Sequence, residues 1–272
     1  MVDNFRPTSL DAALDIMAKE NVTPYAGGTD LMIKASESAK YLFLDKICEM
    51  KKIDEDVDYI RIGGACTFTE IIENALSPAI LKEAVSHIAA PAIRNLGTVG
   101  GNICNGSPKA DSALIFFATG SLLRIVSNKG ERIIPIKDFY LGRNKTTLEK
   151  DELLVEILIP NTGIDNYYYK KVGARGALAI SRVSFAALLD IQNSRISNCS
   201  VAFGAVSDII IRLPDIDAML IGKTIAEAKA IKEDYLAAYD EAIVPIKGRI
   251  SAEYRKTVCM NLLGDFLSSN GI

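Results

Sequence analysis

Two glycine-rich loops hold the residues whose types and spacing can do chemistry. The first, Ala26-Gly27-Gly28-Thr29-Asp30-Leu31, lies between a short strand and a helical turn. Adjacent glycines permit positive φ angles and close backbone approach, and successive N–H groups can converge on an anion such as a pyrophosphate. The same pattern serves a plain tight turn, in which Asp30 acts as an N-cap-like residue. The second loop runs Asn95-Leu96-Gly97-Thr98-Val99-Gly100-Gly101-Asn102-Ile103-Cys104-Asn105-Gly106-Ser107-Pro108-Lys109-Ala110-Asp111. Its glycines, asparagines, Thr98 and Ser107 make a poor strand or helix but suit the wrapping of a polar cofactor. The stretch from Gly101 to Gly106 is followed by Ser107-Pro108, so G-x-x-x-x-G-K-[ST] is absent, and so is G-x-G-x-x-G. Neither a P-loop nor a Rossmann dinucleotide site is supported. Asp111 can cap the helix that follows or accept hydrogen bonds from ribose or adenine, and residue types alone leave both open. Cys104, with no partner cysteine or base beside it, reads as a packing residue.

The rest of the composition narrows the choice of chemistry. A formal net charge of −3 over 272 residues, with no basic stripe, argues against nucleic acid and anionic membranes as partners. No segment approaches the roughly 20 apolar residues of a bilayer span, and residues 1–6 lack a charged-then-apolar leader pattern, so a cytoplasmic location is expected. The five cysteines, Cys48, Cys66, Cys104, Cys199 and Cys259, are scattered with no C-x-x-C pair. They read as reduced thiols, and no metal centre is expected in the chain. His87, the single histidine, reads as a helix residue rather than a catalytic base.

These loops need elements to position them. Residues 7–17 read as a capped amphipathic helix, with Thr8 or Ser9 as N-cap and Leu10, Ala13, Leu14 and Met17 on one face. Strands are expected at 24–26, 41–44, 59–62, 122–126, 131–135 and 153–159, and helices at 67–74, 78–88 and 112–119. The stretch 91–111 reads as turn-rich. Interleaving without a regular βαβ repeat points to α+β. Pro160-Asn161-Thr162-Gly163 offers a boundary between a first domain, 1–163, with lobes of about 1–56 and 57–163, and a second, 164–272. In the second, strands at 167–171, 183–191 and 200–206 form an antiparallel sheet followed by three helices at 213–220, 224–239 and 252–267.

The motifs together resemble a known family. Residues 26–31, Thr98-Val99-Gly100-Gly101-Asn102-Ile103, Asn105-Gly106-Ser107-Pro108 and Ala110-Asp111 are similar to the FAD-binding medium subunit of molybdenum hydroxylases, a family that includes xanthine, carbon monoxide and nicotinate dehydrogenases. The resemblance continues through 151–160, 171–180, Ala202-Phe203-Gly204-Ala205-Val206 and Glu253-Tyr254-Arg255-Lys256, so nearly the whole chain is covered.

The resemblance implies a two-lobed FAD-binding domain of the vanillyl-alcohol oxidase type, followed by a smaller domain of antiparallel sheet and helices. Carried over by position, Ala26, Gly27, Gly28, Thr29, Asp30, Leu31, Met32 and Ile33, with Thr98, Val99, Gly100, Gly101 and Asn102, hold the pyrophosphate and neighbouring parts of FAD. Bare amides at both glycine pairs are expected to close on one diphosphate. Asp111 contacts the cofactor, and Leu154 and Lys171 lie beside it, with Lys170 the alternative one residue away. The resemblance also implies a small partner subunit with two [2Fe–2S] clusters and a large partner carrying molybdopterin. Electrons pass from the clusters to FAD and on to NAD⁺ or another acceptor, with xanthine as the expected substrate of the assembly and no catalytic side chain in this chain. No cysteine-bearing insertion for an additional [4Fe–4S] cluster is present. Two rivals remain: a free-standing FAD oxidase or dehydrogenase, and a non-catalytic interaction module.

Overall fold

The structure is a computed structural model that describes residues 4–36, 38–248 and 250–272. Residues 1–3, part of the stretch read for a leader pattern, lie outside the described residues. Helices and sheets are mixed as α+β, and the chain groups into two compact units.

The first unit comprises Met1–Ser77, Ile88–Ser107 and Gly120–Asn161. Its main sheet is five-stranded and antiparallel, in the order Ile53–Glu55, Tyr59–Gly63, Leu153–Pro160, Leu122–Ser127, Gly130–Pro135. A smaller parallel pair joins Thr23–Tyr25 to Tyr41–Phe43, with Pro24 opposite Leu42. The Leu10–Lys19 helix forms as the spacing predicts, capped by Ser9, whose Oγ accepts from the Ala12 amide at 3.3 Å. Its buried residues Ala13, Leu14 and Met17 join Leu42, Leu44, Ile47, Met50 and Val155 in one apolar cluster, which anchors the strand leading into the first glycine loop.

The second unit comprises Pro78–His87, Pro108–Thr119 and Thr162–Ile272. Its sheet runs Tyr167–Val172, Val183–Gln192, Arg195–Gly204, Ile211–Arg212, all antiparallel. The hairpin turns on Asn193 and Ser194, both at positive φ, so its second strand starts at Arg195 rather than at residue 200. Phe185, Leu189, Val201 and Phe203 pack with Tyr235, Tyr239, Leu263 and Phe266 from the C-terminal helices. The Asp111–Ala118 helix, buried at every residue, packs against the two central strands. Apolar cover on both faces explains why Val183–Leu189 is buried without alternation.

By contact, segments 78–87 and 108–119 group with the C-terminal residues. Two expectations differ from these elements. The stretch 91–111 is not merely turns, since it forms helices at Pro91–Arg94 and Val99–Cys104. The helix expected over 224–239 is two, Ile225–Ala230 and Lys232–Ala242, because Ile231 leaves helical geometry at φ −109° and ψ 12°.

Candidate functional site

Both glycine loops line one cleft of about 540 Å³ in the first unit. That volume lies within the range of ligand sites, roughly 300–1,000 Å³. Of the residues singled out from sequence, Ala26, Gly27, Gly28, Thr29, Asp30, Leu31, Ile33, Thr98, Gly100, Gly101, Asn102 and Leu154 line it. Met32 and Val99 do not: Met32 is 49% exposed beside the cleft-lining Leu31 and Ile33, and Val99 is fully buried.

The loops contribute unequally. In the first, Gly28 sits at φ +70°, a left-handed conformation that glycine adopts freely. The chain then enters a one-turn 3-10 helix, Leu31–Lys34. The amides of Gly27, Gly28, Thr29 and Asp30 donate to no acceptor among the described residues. Four consecutive open donors on a cleft wall, at a turn of this kind, form a concavity suited to an anion.

In the second loop the amides are already engaged, contrary to the expectation of bare donors on both sides. Val99 N donates to Cys66 O at 3.0 Å and Gly100 N to Gly64 O at 2.9 Å. Gly101 N donates to the Thr98 hydroxyl at 3.2 Å, and Asn102 N to Thr98 O at 3.0 Å. Thr98 is therefore the N-cap of the Val99–Cys104 helix. The glycines here serve chain packing. A Cβ on Gly100 would lie 2.5 Å from Gly64 O, and one on Gly27 would lie 1.9 Å from Leu96 O. Gly101 alone of the four has open space beyond its own cap, with Thr98 Oγ1 at 2.9 Å and Ala26 Cβ at 4.0 Å.

Several lining residues were not singled out from sequence. Met50, Phe68, Leu44, Leu148 and Leu153 give the cleft an apolar wall. Gly64 brings the end of the Tyr59–Gly63 strand against the second loop, and the adjacent pair Gly63-Gly64 was its visible signal. Asn105 and Asn144 line the cleft too. Asp30 does not cap the turn after it: its Oδ2 accepts instead from Asn105 Nδ2 at 3.0 Å. Cys104 also lines the cleft, and burial pushes its thiol up to about 12, which keeps it protonated.

Asp111 and Lys171 belong to the second unit, where they pair with each other. Lys171 Nζ is 2.6 Å from Asp111 Oδ2 and donates to His87 O at 2.9 Å, while Ser181 Oγ donates to Asp111 Oδ1 at 2.7 Å. Ala110 is the N-cap of the Asp111–Ala118 helix, so the Asp111 side chain is no cap. Burial pushes the Asp111 carboxyl upward, opposed by the Lys171 ammonium. Lys170 points elsewhere, its Nζ 5.7 Å from the centroid of the Tyr168 ring. His87 is exposed at the C-cap of the Ala79–Ser86 helix and offers this cluster its carbonyl.

An open amide concavity for phosphates, continuous with an apolar wall for a planar ring, fits a flavin dinucleotide. Comparison with known proteins gives the same direction. Residues 1–162 match the family described as FAD binding domain in molybdopterin dehydrogenase, and residues 167–269 match CO dehydrogenase flavoprotein C-terminal domain. The xanthine dehydrogenase FAD-binding subunit of Escherichia coli O157:H7 is 34% identical over 222 residues, 76% of this chain and 75% of that one. The nicotine 6-hydroxylase medium subunit of Paenarthrobacter nicotinovorans is 28% identical over 269 residues, 94% of this chain and 93% of that one. Among solved structures, reconstituted CO dehydrogenase from Oligotropha carboxidovorans superposes with a TM-score of 0.87 at 26% identity, covering 97% of this chain and 95% of that one.

Proposed function

Since this chain belongs to the FAD-binding subunits of the molybdenum hydroxylase family, and so is an oxidoreductase subunit, we propose that it holds FAD in the first-unit cleft and relays electrons from an iron–sulfur partner to NAD⁺. The observation that carries the cofactor site is the run of open amides at Gly27, Gly28, Thr29 and Asp30 on a cleft wall. When bound, FAD supplies the redox chemistry that joins one-electron donors to a two-electron acceptor. The chain's own residues bind and orient. The four amides take the diphosphate, the Thr98-capped helix fixes the opposite wall, and Leu44, Met50, Phe68, Leu153 and Leu154 exclude water from a planar ring.

The partners in this proposal are a small subunit with two [2Fe–2S] clusters and a large molybdopterin subunit that oxidises the substrate, assembled in the cytoplasm. Relatives named as FAD-binding or medium subunits support such an assembly. A purine is the proposed substrate class, on the strength of the relatives named for xanthine dehydrogenase. Asp111 and Lys171 are proposed as further cofactor contacts from the family motif alone, and Leu154 from the motif and from its place in the cleft lining.

Titration of the apo-chain with FAD tests the first step, and NADH added without oxygen tests the acceptor. The expected result is one FAD per chain and bleaching of the yellow colour by NADH. A folded chain that takes up no FAD would refute the cofactor site. A yellow chain that NADH leaves unchanged, yet is reduced by its iron–sulfur partner, would refute NAD⁺ alone.

A further inference from the structure

The cleft places a carboxylate where an anion is expected. Asp30 is the only acidic residue among the residues that line it, and its own amide belongs to the open run beginning at Gly27. An aspartate side chain readily bonds to nearby backbone N–H groups, so an unrestrained Asp30 can fold back onto those donors and displace a diphosphate. What restrains it comes from two other loops. Asn105 Nδ2 donates to Asp30 Oδ2 at 3.0 Å. Asn105 O in turn accepts from Asn144 Nδ2 at 2.9 Å, and Asn144 N donates to Gly106 O at 2.9 Å. Asn144 holds a left-handed backbone, φ 56°, beside the Tyr140–Gly142 and Lys145–Thr146 hairpin. Gly106, at φ +66°, passes so close that a Cβ there would lie 3.0 Å from the Asn144 Cα.

We propose that Asn105 is a positioning residue for the cofactor: it fixes the Asp30 carboxylate away from the open amides, and Asn144 fixes Asn105. This rests on the FAD reading above. The amide is suited to the task because it donates to a carboxylate without adding a charge of its own beside the diphosphate. Asp30 and Cys104 are the titratable side chains among the residues lining the cleft, and Arg143 and Lys145 flank Asn144 on the hairpin.

The test measures FAD dissociation constants by quenching of flavin fluorescence, between about pH 5 and about pH 8, where only a perturbed carboxyl titrates among Asp and Glu. Thermal midpoints of the apo-chains are taken alongside. Asn105→Leu removes one hydrogen bond to a charged group and is expected to weaken FAD about fivefold at all pH values. Asn105→Asp sets two carboxylates face to face, which share a proton only in acid. It is expected to weaken FAD by about tenfold or more at about pH 8, with recovery toward about pH 5. Asp30→Asn combined with Asn105→Asp restores a donor and an acceptor in reversed order, and is expected within about threefold of the parent with a flat pH profile. Asn144→Gly keeps the left-handed backbone and is expected to lose a few-fold, about twofold to fivefold.

A purely architectural Asn105 would give Asn105→Asp the same loss at both ends of the pH range, and no rescue by the second change. Either result overturns the proposal, as does parental affinity in Asn105→Leu. An Asn144→Gly chain of parental affinity removes Asn144 from it. If the parent chain binds no FAD, the cofactor site falls and this proposal with it. If the parent binds and only the pH profile or the rescue fails, the positioning role falls alone.

Discussion

Alanine at Gly27 and alanine at Gly101 should separate what the glycines do for the chain from what they do for its ligand. A Cβ on Gly27 would stand 1.9 Å from Leu96 O, and Leu96 C is also close, at 2.6 Å. An unstrained carbon-to-oxygen contact is about 3.3 Å, so the two loops must part by about 1.4 Å. The obstacle is backbone, which cannot rotate away as a side chain does. Overpacking of this kind costs about 1–3 kcal/mol, and we expect the upper end, about 3 kcal/mol. For a chain of this size that lowers the apo thermal midpoint by about 6 °C or more. At Gly101 the nearest atom is the Thr98 hydroxyl at 2.9 Å, and the about 1 kcal/mol of helix propensity that alanine gains over glycine offsets the strain put on that cap. Gly101→Ala should leave the apo midpoint near that of the parent while its methyl projects toward the cleft and weakens FAD by about tenfold or more, about 1.4 kcal/mol. Differential scanning fluorimetry of apo-chains and FAD titration measure both quantities. Loss of FAD with an unchanged apo midpoint in Gly27→Ala would refute the loop-packing role, and parental affinity in Gly101→Ala would refute the placing of that residue against the ligand.

Two further outcomes concern ionisable groups. Burial pushes the thiols of Cys66, Cys199 and Cys259 up to about 12. The folded chain then keeps protons that the unfolded chain releases above about pH 8.5, so stability present below that pH is lost as pH rises toward 12. At about pH 9.5 these three and Cys104, raised likewise, together cost about 6 kcal/mol, and Cys259→Ala should flatten the fall in urea midpoint by about one quarter. Iodoacetamide at neutral pH should label exposed Cys48 first, and equal native labelling of Cys66 would contradict its burial. Lys171→Met leaves Asp111, 5% exposed, without its cation, and should cost about 3 kcal/mol at neutral pH. Because burial raises the Asp111 carboxyl in the fold, the folded variant binds a proton more readily than the unfolded chain. Its stability should therefore recover as pH falls toward the acid range, and Asp111→Asn added to Lys171→Met should abolish that recovery. A pH-independent loss would argue against the pair.

What could be read from the chain depended on how local its cause was. The Leu10–Lys19 helix carries its cap at Ser9 and its apolar face within a dozen residues, and both were legible. Each glycine loop was legible as a local signal, Gly27-Gly28 before Thr29-Asp30 and Gly100-Gly101 after Thr98, but their joining in one site was read from the resemblance of both to a family motif and from no local cause. The Val99–Cys104 helix was not, because its Gly100-Gly101 pair opposes helix formation by propensity. It forms through the Thr98 cap and through carbonyls of Gly64 and Cys66, more than thirty residues earlier in the chain. Met50, Phe68 and Asn144 reach the cleft only through sheet and hairpin geometry that no window around the loops contains. Asp111 was read as a cap or a ligand contact, and its bond to Lys171 spans 60 positions of sequence.

The composition of the second unit from three stretches has a consequence for biosynthesis. The Asp111–Ala118 helix, with no solvent-facing residue, leaves the ribosome before the strands Val183–Gln192 and Arg195–Gly204 that cover it. From residue 118 to residue 204 the chain grows by 86 positions. At about 5–20 residues per second, this apolar segment waits roughly 4–17 s for its cover. Nascent copies carrying it are therefore natural clients for chaperones, and slowing of translation between these points lengthens the interval in which neighbouring chains can aggregate.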